Sequence, residues 1–139
     1  ARQNSDIQVY EDGRESRDFV YIDDVIDATF RSIDHQETYA GAMNVGSGVA
    51  TSVIDVASAI KSYFNSDSTI TIGGEFRIGD IRHNIADISL IHDLLGYAPS
   101  TTFVDGLNKF LSWAEGEPVS DKSAYSASVN ELSKRGLMG

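Results

Sequence analysis

The sequence contains no cysteine, so disulfide bonds and thiolate chemistry are excluded and we expect a reducing, cytoplasmic location. Basic residues are also few: 11 lysines and arginines stand against 21 aspartates and glutamates, for a formal net charge of −10. A surface with this charge repels nucleic acids and anionic membranes, so we expect neither as a partner. No apolar run approaches the ~20 residues that a membrane-spanning helix needs, and we expect no signal peptide in the polar Ala1–Ser5 segment.

The sequence does have enough apolar material for one domain, since 41% of its 139 residues are hydrophobic. Alternation predicts a first strand at Ile7–Tyr10. The Asp-Gly pair at 12–13 then predicts a β-hairpin that returns through a strand at Arg17–Ile22. A period of two places Arg17, Phe19 and Tyr21 on one face of that strand.

Four helices are predicted from apolar residues at helical spacing and from polar residues that can cap a helix N-terminus. The candidate caps are Asp23 or Asp24, Thr51 or Ser52, Asp87, and Thr102. Gly96 and Pro99 are expected to end the third helix. The apolar stripes are, helix by helix, Ile22, Ile26, Phe30 and Ile33; Val53, Val56, Ile60 and Phe64; Ile88, Ile91, Leu94 and Leu95; and Leu107, Phe110, Leu111 and Trp113, with Trp113 as a core anchor.

Short strands are also predicted at Ala42–Gly46 and Thr69–Ile72, where apolar or β-branched residues are concentrated. After Trp113 the composition becomes polar, so residues 115–130 are predicted to form a mobile tail, followed by a short helix at Glu131–Leu137. The sequence therefore predicts an α/β fold, or an α+β fold if the chain packs on its own.

Arginines deserve notice in so acidic a chain, and Arg17 is the first of interest. It follows the predicted turn and shares a strand face with Phe19. Its guanidinium could therefore bind a phosphate while the aromatic ring packs on a base or ribose. Taken alone, Arg17 is more simply explained as an exposed strand arginine beside core aromatic residues.

A second arginine-containing segment begins at Arg77. Arg77 and Asp80 flank Gly79, and a glycine lets the backbone approach a ligand closely. The arginine could hold a diphosphate, and the aspartate could accept a hydrogen bond from a sugar hydroxyl. Arg82 and His83 follow and are candidates for neighbours of such a site. Taken alone, this segment is more simply explained as a charged loop.

Other motifs are better explained by structure than by chemistry. Gly46-Ser47-Gly48 follows a predicted strand and opens a helix, but Thr51 stands where G-x-G-x-x-G requires its third glycine, so we interpret it as an ordinary loop. The adjacent carboxylates Asp23 and Asp24 fit helix capping better than an acid/base pair. The three histidines lack metal-ligand spacing, and we expect no metal site.

The joint pattern is more informative than its parts. RDFVYIDDVIDA from Arg17, NVGSGVATS from Asn44 and GDIRHNIADIS…LLGYAPSTTFVDGLNKFLSW from Gly79 occur in this order over roughly residues 7–114. Together they resemble the C-terminal region of extended short-chain dehydrogenases/reductases, the class of NAD-dependent nucleotide-sugar epimerases and dehydratases, with UDP-glucose 4-epimerase as the most similar type.

The resemblance implies a division of the chain and a set of ligand contacts. Residues 1–114 would form the nucleotide-sugar-binding region, including a strand and helix that complete the Rossmann sheet, and residues 115–139 a polar tail. The family's arginine and aromatic positions fall on Arg17 and Phe19, with Arg17 at the nucleotide diphosphate. Its second motif falls on Arg77 and Asp80, at the diphosphate and the ribose.

The resemblance also implies what this sequence lacks. The family binds NAD mainly through an N-terminal glycine-rich turn, and it transfers protons with a Tyr-x-x-x-Lys pair. No tyrosine in this sequence has a lysine four residues later. We therefore assign no catalytic residue and no cofactor site to this chain, and we expect a longer parent protein. Without the Rossmann part as a partner, we expect exposed apolar surface, with self-association or marginal stability.

The function predicted from the resemblance is substrate binding within an NAD-dependent nucleotide-sugar epimerase. The parent chemistry would be hydride removal at a sugar carbon, rotation of the keto intermediate and hydride return to its other face. Two alternatives stay open: a nucleotide-sugar 4,6-dehydratase parent, and a stand-alone binding module without an enzymatic parent. Gly79 and Asp80 are adjacent here, whereas dehydratases tend to carry a histidine between them, which favours the epimerase.

Overall fold

A computed structural model describes residues 1–35, 39–118 and 122–139, with the side chains of residues 122–125 left aside. Short strands and longer helices are combined in an α/β arrangement, as the sequence predicts. In chain order the elements are β1 (Ile7–Val9), β2 (Ser16–Asp18), α1 (Ile22–Asp34), β3 (Ala50–Ser52), α2 (Val53–Tyr63), β4 (Ile70–Ile72), β5 (His83–Asn84), α3 (Ser89–Leu95), α4 (Phe103–Gly116) and α5 (Lys122–Lys134).

The strands form two small sheets, and the predicted hairpin is wrong. β1 pairs in parallel with β4, while β2 lies between β3, which is antiparallel to it, and β5, which is parallel. The tight turn exists, because Gly13 N–H donates to the Tyr10 carbonyl. The carbonyls of Gly13 and Glu15, however, accept from Ile54 and Val53 at the start of α2. The chain after the turn is therefore held against α2 instead of folding back on β1.

The predicted strand Arg17–Ile22 is shorter than expected, because β2 ends at Asp18 and α1 begins at Ile22. Neither Asp23 nor Asp24 caps α1; the N-cap residue is Tyr21, which makes no side-chain capping bond. Asp24 is instead buried, and its carboxylate accepts from Ser100 N–H and Oγ and from Thr101 N–H. It ties α1 to the loop before α4.

Residues 42–46 do not form the predicted strand. Their backbone makes no ladder hydrogen bonds with another strand of the described chain, and a strand exists only where a neighbour pairs with it. Met43 and Val45 still pack against the core, so the segment keeps its apolar role without sheet pairing.

Apart from the start of α1, helix ends follow the predicted chemistry at three of four positions. Ser52 Oγ accepts from Asp55 N–H and Thr102 Oγ1 accepts from Asp105 N–H, as capping predicts. Gly96 ends α3 with a φ of +61°. Asp87 is the exception: α3 begins at Ser89, and the Asp87 carboxylate accepts from the N–H and Oγ of Ser89 without capping the helix.

The core is small and lies between α1, α3 and the 43–45 segment. Ala28, Ile91 and Tyr97 are buried there, and the Tyr97 hydroxyl donates to the Gly46 carbonyl at 2.9 Å. The predicted apolar stripe of α1 points away from this core, since Phe30 is 62% exposed and its stripe neighbours Ile22, Ile26 and Ile33 are exposed too. Trp113 is likewise 60% exposed and anchors no core. The expectation of exposed apolar surface is therefore confirmed.

The C-terminal segment differs from its prediction. α5 covers most of the range predicted as a mobile tail, while residues 119–121 of that range lie outside the described residues. The predicted last helix stops at Lys134 instead of Leu137, because Gly136 has a φ of +67° and turns the chain. No helix in the described parts of the chain has the length and hydropathy needed to cross a membrane.

Candidate substrate-binding site

The second arginine motif forms a tight turn. Asp80 N–H donates to the Arg77 carbonyl at 3.2 Å, and Gly79 at the third position of the turn has a φ of +92°. A left-handed residue at this position is what a type II turn requires, and glycine adopts it without a Cβ clash. The spacing Arg-x-Gly-Asp therefore brings the Arg77 and Asp80 side chains to the two ends of one turn.

Three of the four predicted site residues meet at one cavity. A cavity of about 180 Å³ is lined by Arg17 from β2 and by Arg77 and Asp80 from the turn. The remaining lining comes from the end of β1, the loop after it and the start of α2: Gln8, Val9, Tyr10, Glu11, Glu15 and Val53. The sheet pairings explain the convergence, because β2 lies beside β5, and β5 follows the turn directly.

Arg17 is held by backbone oxygens at the side of this cavity. Its Nη1 donates to the Ser16 carbonyl at 2.9 Å and to the Arg82 carbonyl at 3.1 Å. A guanidinium has five N–H donors, and these two bonds use Nη1 alone. Nε and Nη2 have no bonding partner in the described part of the chain, so they are available to an anion.

Arg77 is oriented by an aromatic ring. Its guanidinium carbon lies 5.8 Å from the centre of the Tyr10 ring, a distance at which a cation is attracted to the ring face. Its backbone is paired with Met138 near the C-terminus. Both ends of this side chain are therefore fixed by segments far from it in sequence.

Arg82 forms ion pairs with three carboxylates near the cavity. Its Nη1 lies 3.0 Å from Glu11 and 3.7 Å from Glu15, and its Nη2 lies 2.5 Å from Asp12. The hydrogen bond from Arg82 and that from Arg14 N–H lower the pKa of Asp12 to about 2. Partial burial and the neighbouring Glu15 raise the pKa of Glu11, against the pull of Arg82. Arg82 is thus engaged with these acids and does not line the cavity, although it was a candidate neighbour of the site.

His83 and Phe19 lie outside this cavity. His83 Nδ1 bonds Ser16 Oγ at 2.8 Å across the sheet, which gives the ring a structural contact. Phe19 follows the end of β2, so strand alternation no longer governs its direction. It packs on Phe103 with ring centres 5.4 Å apart, in a separate apolar cavity of about 440 Å³ between α2 and α4.

Asp18 is a structural residue that the sequence reasoning missed. Its carboxylate accepts from Ser47 N–H and Oγ, from Gly48 N–H and from Ala86 N–H. Burial acts to raise the pKa of Asp18, but these hydrogen bonds outweigh it and hold the pKa below its usual value. The Gly46–Gly48 loop therefore binds an acid of its own chain, which agrees with interpreting it as an ordinary loop. The sequence signal that could have indicated this role was an acidic strand residue, Asp18, combined with a glycine-rich loop that offers backbone N–H groups.

No group of three histidines or carboxylates in the described residues is placed to hold a metal ion. The cavity combines two arginines that can bind an anion with three carboxylates. Arg82 pairs with Glu11 and Glu15, which leaves Asp80 to accept from a hydroxyl.

Comparisons with known proteins indicate the family and the fold of the chain. Residues 1–46 match the family described as "NAD dependent epimerase/dehydratase family". The dTDP-L-rhamnose 4-epimerase of Burkholderia thailandensis is 35% identical over 113 residues, which is 81% of this chain and 31% of that protein. The UDP-glucose 4-epimerase of Mycolicibacterium smegmatis is 30% identical over 105 residues, or 73% of this chain and 32% of that protein.

A solved structure extends the likeness to the fold. The UDP-glucuronic acid 4-epimerase of Bacillus cereus, in complex with UDP-4-deoxy-4-fluoro-glucuronic acid and NAD, has 25% identity and a TM-score of 0.74, covering 81% of this chain and 36% of that one. The fold and these matches define the class: extended short-chain dehydrogenases/reductases. Within that class, the chain is related to the NAD-dependent epimerase/dehydratase family of nucleotide-sugar enzymes. It spans about a third of the length of the curated relatives that it matches.

Proposed function

We propose that this chain is the nucleotide-sugar-binding region of an NAD-dependent nucleotide-sugar epimerase and that the Arg17–Arg77 cavity binds the diphosphate. The observation that carries the proposal is the convergence of these two arginines on one cavity in a chain with a net charge of −10. Two guanidinium groups facing one cavity can both bind the oxygens of a single diphosphate, in a bidentate geometry that suits arginine.

The size of the cavity limits what it can hold. Pockets that enclose whole small ligands measure about 300–1,000 Å³, whereas this one measures about 180 Å³. The cavity therefore fits the diphosphate and part of the ribose, with Asp80 as the acceptor for a ribose hydroxyl. The base and the sugar extend beyond it. Phe19 lines the separate apolar cavity between α2 and α4, so in this arrangement it does not pack on a group held between Arg17 and Arg77.

The described residues offer NAD no comparable site, although structures related to this chain contain it. The amide groups of the Gly46–Gly48 loop are taken by Asp18, so this loop cannot hold a pyrophosphate. The chain's own part in the reaction is therefore to bind and orient the nucleotide, so that binding energy from the diphosphate positions the sugar for chemistry performed elsewhere. The absence of cysteine supports the cytoplasm as the compartment of such an enzyme.

An epimerase is favoured over a dehydratase by two observations. Gly79 and Asp80 are adjacent, and the named relatives reported above are 4-epimerases.

The proposal is tested by replacing each arginine in the full-length protein that contains this chain. We expect Arg77→Ala and Arg17→Ala each to weaken UDP binding, measured by calorimetry, by roughly 1.5–3 kcal/mol, the range for hydrogen bonds to charged groups. Bound NAD should be unchanged. Arg77→Lys should recover only part of the affinity, because an ammonium cannot bind in a bidentate way.

Arg14→Ala is the matched control. Arg14 is exposed in the loop between β1 and β2, three residues before Arg17, and it does not line the cavity. It removes the same charge and should leave UDP binding nearly unchanged. Equal affinity of the wild-type, Arg17→Ala and Arg77→Ala proteins for UDP would contradict the proposal.

A further inference from the structure

The last three residues of the chain lie against the Arg77 turn. Phe76 and Gly139 exchange two backbone hydrogen bonds, Phe76 N–H to the Gly139 carbonyl at 2.9 Å and Gly139 N–H to the Phe76 carbonyl at 3.0 Å. Ile78 N–H donates to the Leu137 carbonyl at 3.0 Å, and Arg77 faces Met138 in antiparallel register. Leu137–Gly139 thus forms a short strand beside Phe76–Ile78.

The end of α5 directs the chain into this position. Gly136 N–H donates to the Ser133 carbonyl and Leu137 N–H to the Leu132 carbonyl. This pair of bonds, with Gly136 at a φ of +67°, is a Schellman motif. The left-handed glycine reverses the chain so that the next residues run back along the turn.

The two flanks of the Arg77 turn are anchored, because Glu11 N–H donates to the Glu75 carbonyl and Ser16 N–H to the Arg82 carbonyl, but the residues between them depend on the C-terminal segment. Between Glu75 and Arg82, the backbone hydrogen bonds to other segments of the described chain are those made with Leu137 and Gly139. Burial does not substitute for them, because Ile78 and Ile81 are both exposed. A Cβ atom built on Gly139 would lie 2.6 Å from Cζ of Phe76, so this ring packs directly on the C-terminal segment.

We propose that Leu137–Gly139 is a positioning element for Arg77: it holds the turn in place so that the guanidinium is ordered before the nucleotide binds. This inference rests on the proposed function of the cavity. It adds a role for the C-terminal segment, which lies outside residues 7–114 where the sequence motifs occur. A side chain that is already ordered does not lose its conformational freedom on binding, and affinity rises accordingly.

The first test removes the segment in the full-length protein by deleting residues 137–139. We expect the Kd for UDP, measured by calorimetry, to rise about two- to tenfold, the cost of ordering one long side chain on binding. In the Arg77→Ala background the same deletion should have no further effect, because the segment acts through Arg77. Bound NAD and the midpoint of urea unfolding report whether the rest of the protein is intact.

A second test avoids deletion. In Gly136→Val a β-branched residue must adopt a left-handed conformation, so the segment should leave the turn and UDP affinity should fall. Gly136→Asn should retain most of the affinity, since asparagine tolerates this conformation. Gly116→Ala is the control. Gly116 lies in α4 without a left-handed backbone, and a Cβ there meets no atom, so UDP binding should not change.

The outcomes separate this inference from the proposed function. If Arg77→Ala weakens UDP binding but neither the deletion nor Gly136→Val does, the positioning role is wrong and the cavity assignment stands. If the deletion and Arg77→Ala reduce UDP affinity additively, the segment acts on another group and the inference is also wrong. If Arg77→Ala itself has no effect, the cavity assignment fails, and the positioning role fails with it.

Discussion

Asp18 links three segments through one carboxylate: its own strand, the Gly46–Gly48 loop and, at Ala86, the segment between β5 and α3. A carboxylate that accepts four hydrogen bonds is much better stabilised when charged than when protonated. This explains why its pKa stays low despite partial burial. The residue that follows the proposed ligand arginine in sequence is therefore structural.

We expect Asp18→Asn to lower the free energy of unfolding of the full-length protein by about 1–3 kcal/mol at pH 7, because an amide cannot accept all four bonds. The control Asp23→Asn changes an exposed carboxylate in the first turn of α1 and should cost at most about 1 kcal/mol. Urea unfolding measures both.

The contribution of Asp18 to the free energy of unfolding should decrease as the pH falls. Because its folded pKa is below the unfolded value, its contribution is fully present above about pH 4 and is lost as pH falls through the lower, folded pKa. The stability difference between wild type and Asp18→Asn should therefore shrink on acidification below pH 4. A difference that grows instead would show that Asp18 is not stabilised as the anion.

Single residues differ in how far sequence could predict them. Arg77, Gly79 and Asp80 were predictable, because a turn with glycine at its third position is a local property. Phe19 was not, because its direction depends on where β2 ends, and that end is set by pairing with distant strands.

At the scale of elements, helix ends were predicted better than strand partners. Capping by Ser52 and Thr102 depends on residues within one turn of the helix. The hairpin prediction was wrong because an Asp-Gly turn does not determine which strands pair. β1 pairs with β4, and β2 pairs with β3 and β5. The 42–46 strand failed for the related reason that pairing requires a second strand.

The junction between α1 and α4 offers a prediction at this scale. Asp24 is 3% exposed, and burial acts to raise its pKa, but the hydrogen bonds from Ser100 and Thr101 outweigh burial and lower it. Asp24→Asn should cost roughly 1.5–3 kcal/mol of stability in urea unfolding. Asp27→Asn, which breaks only an exposed pair with Arg31, should cost about 0–1 kcal/mol. Equal effects would show that the junction contributes no more than the surface pair.

The whole molecule exposes a helix face that a folded domain normally covers. Ile22, Ile26, Phe30 and Ile33 are exposed along α1, and Phe110 and Trp113 are exposed on α4. Contiguous apolar surface of this kind marks an interaction surface. The sequence predicted the stripe correctly, but its orientation depends on what packs against it and could not be predicted from periodicity.

We expect residues 1–139 produced alone to self-associate, with sedimentation coefficients that rise with concentration. Phe30→Gln should reduce the association, while Val49→Gln, an exposed apolar residue outside the stripe, should not. In the full-length protein Phe30→Gln should instead destabilise the fold by about 1.5–3 kcal/mol if the stripe is buried there. If residues 1–139 associate equally in the wild-type, Phe30→Gln and Val49→Gln forms, the α1 stripe is not the contact surface.

The isolated chain should neither bind NAD nor convert a nucleotide sugar. The reason is the lack of a Tyr-x-x-x-Lys pair in the sequence and the occupation of the Gly46–Gly48 loop by Asp18. Calorimetry with NAD and chromatography of incubated UDP-glucose would check this. Heat of binding in a sample free of full-length enzyme would refute it.

The sheet pairings also determine when this chain can fold during synthesis. Ser16 and His83, which face each other across β2 and β5, are 67 residues apart, and β1 must await β4 in the same way. Strand pairs so distant in sequence form slowly, because closing the intervening loop has an entropic cost before any contact is gained. Until Ile72 has been added β1 has no strand partner, and until Asn84 has been added β2 has only β3. Before Ile72 is added, the nascent chain exposes its α1 stripe together with an unpaired β1 and one open edge of β2, and it is then that a chaperone would find the most to bind.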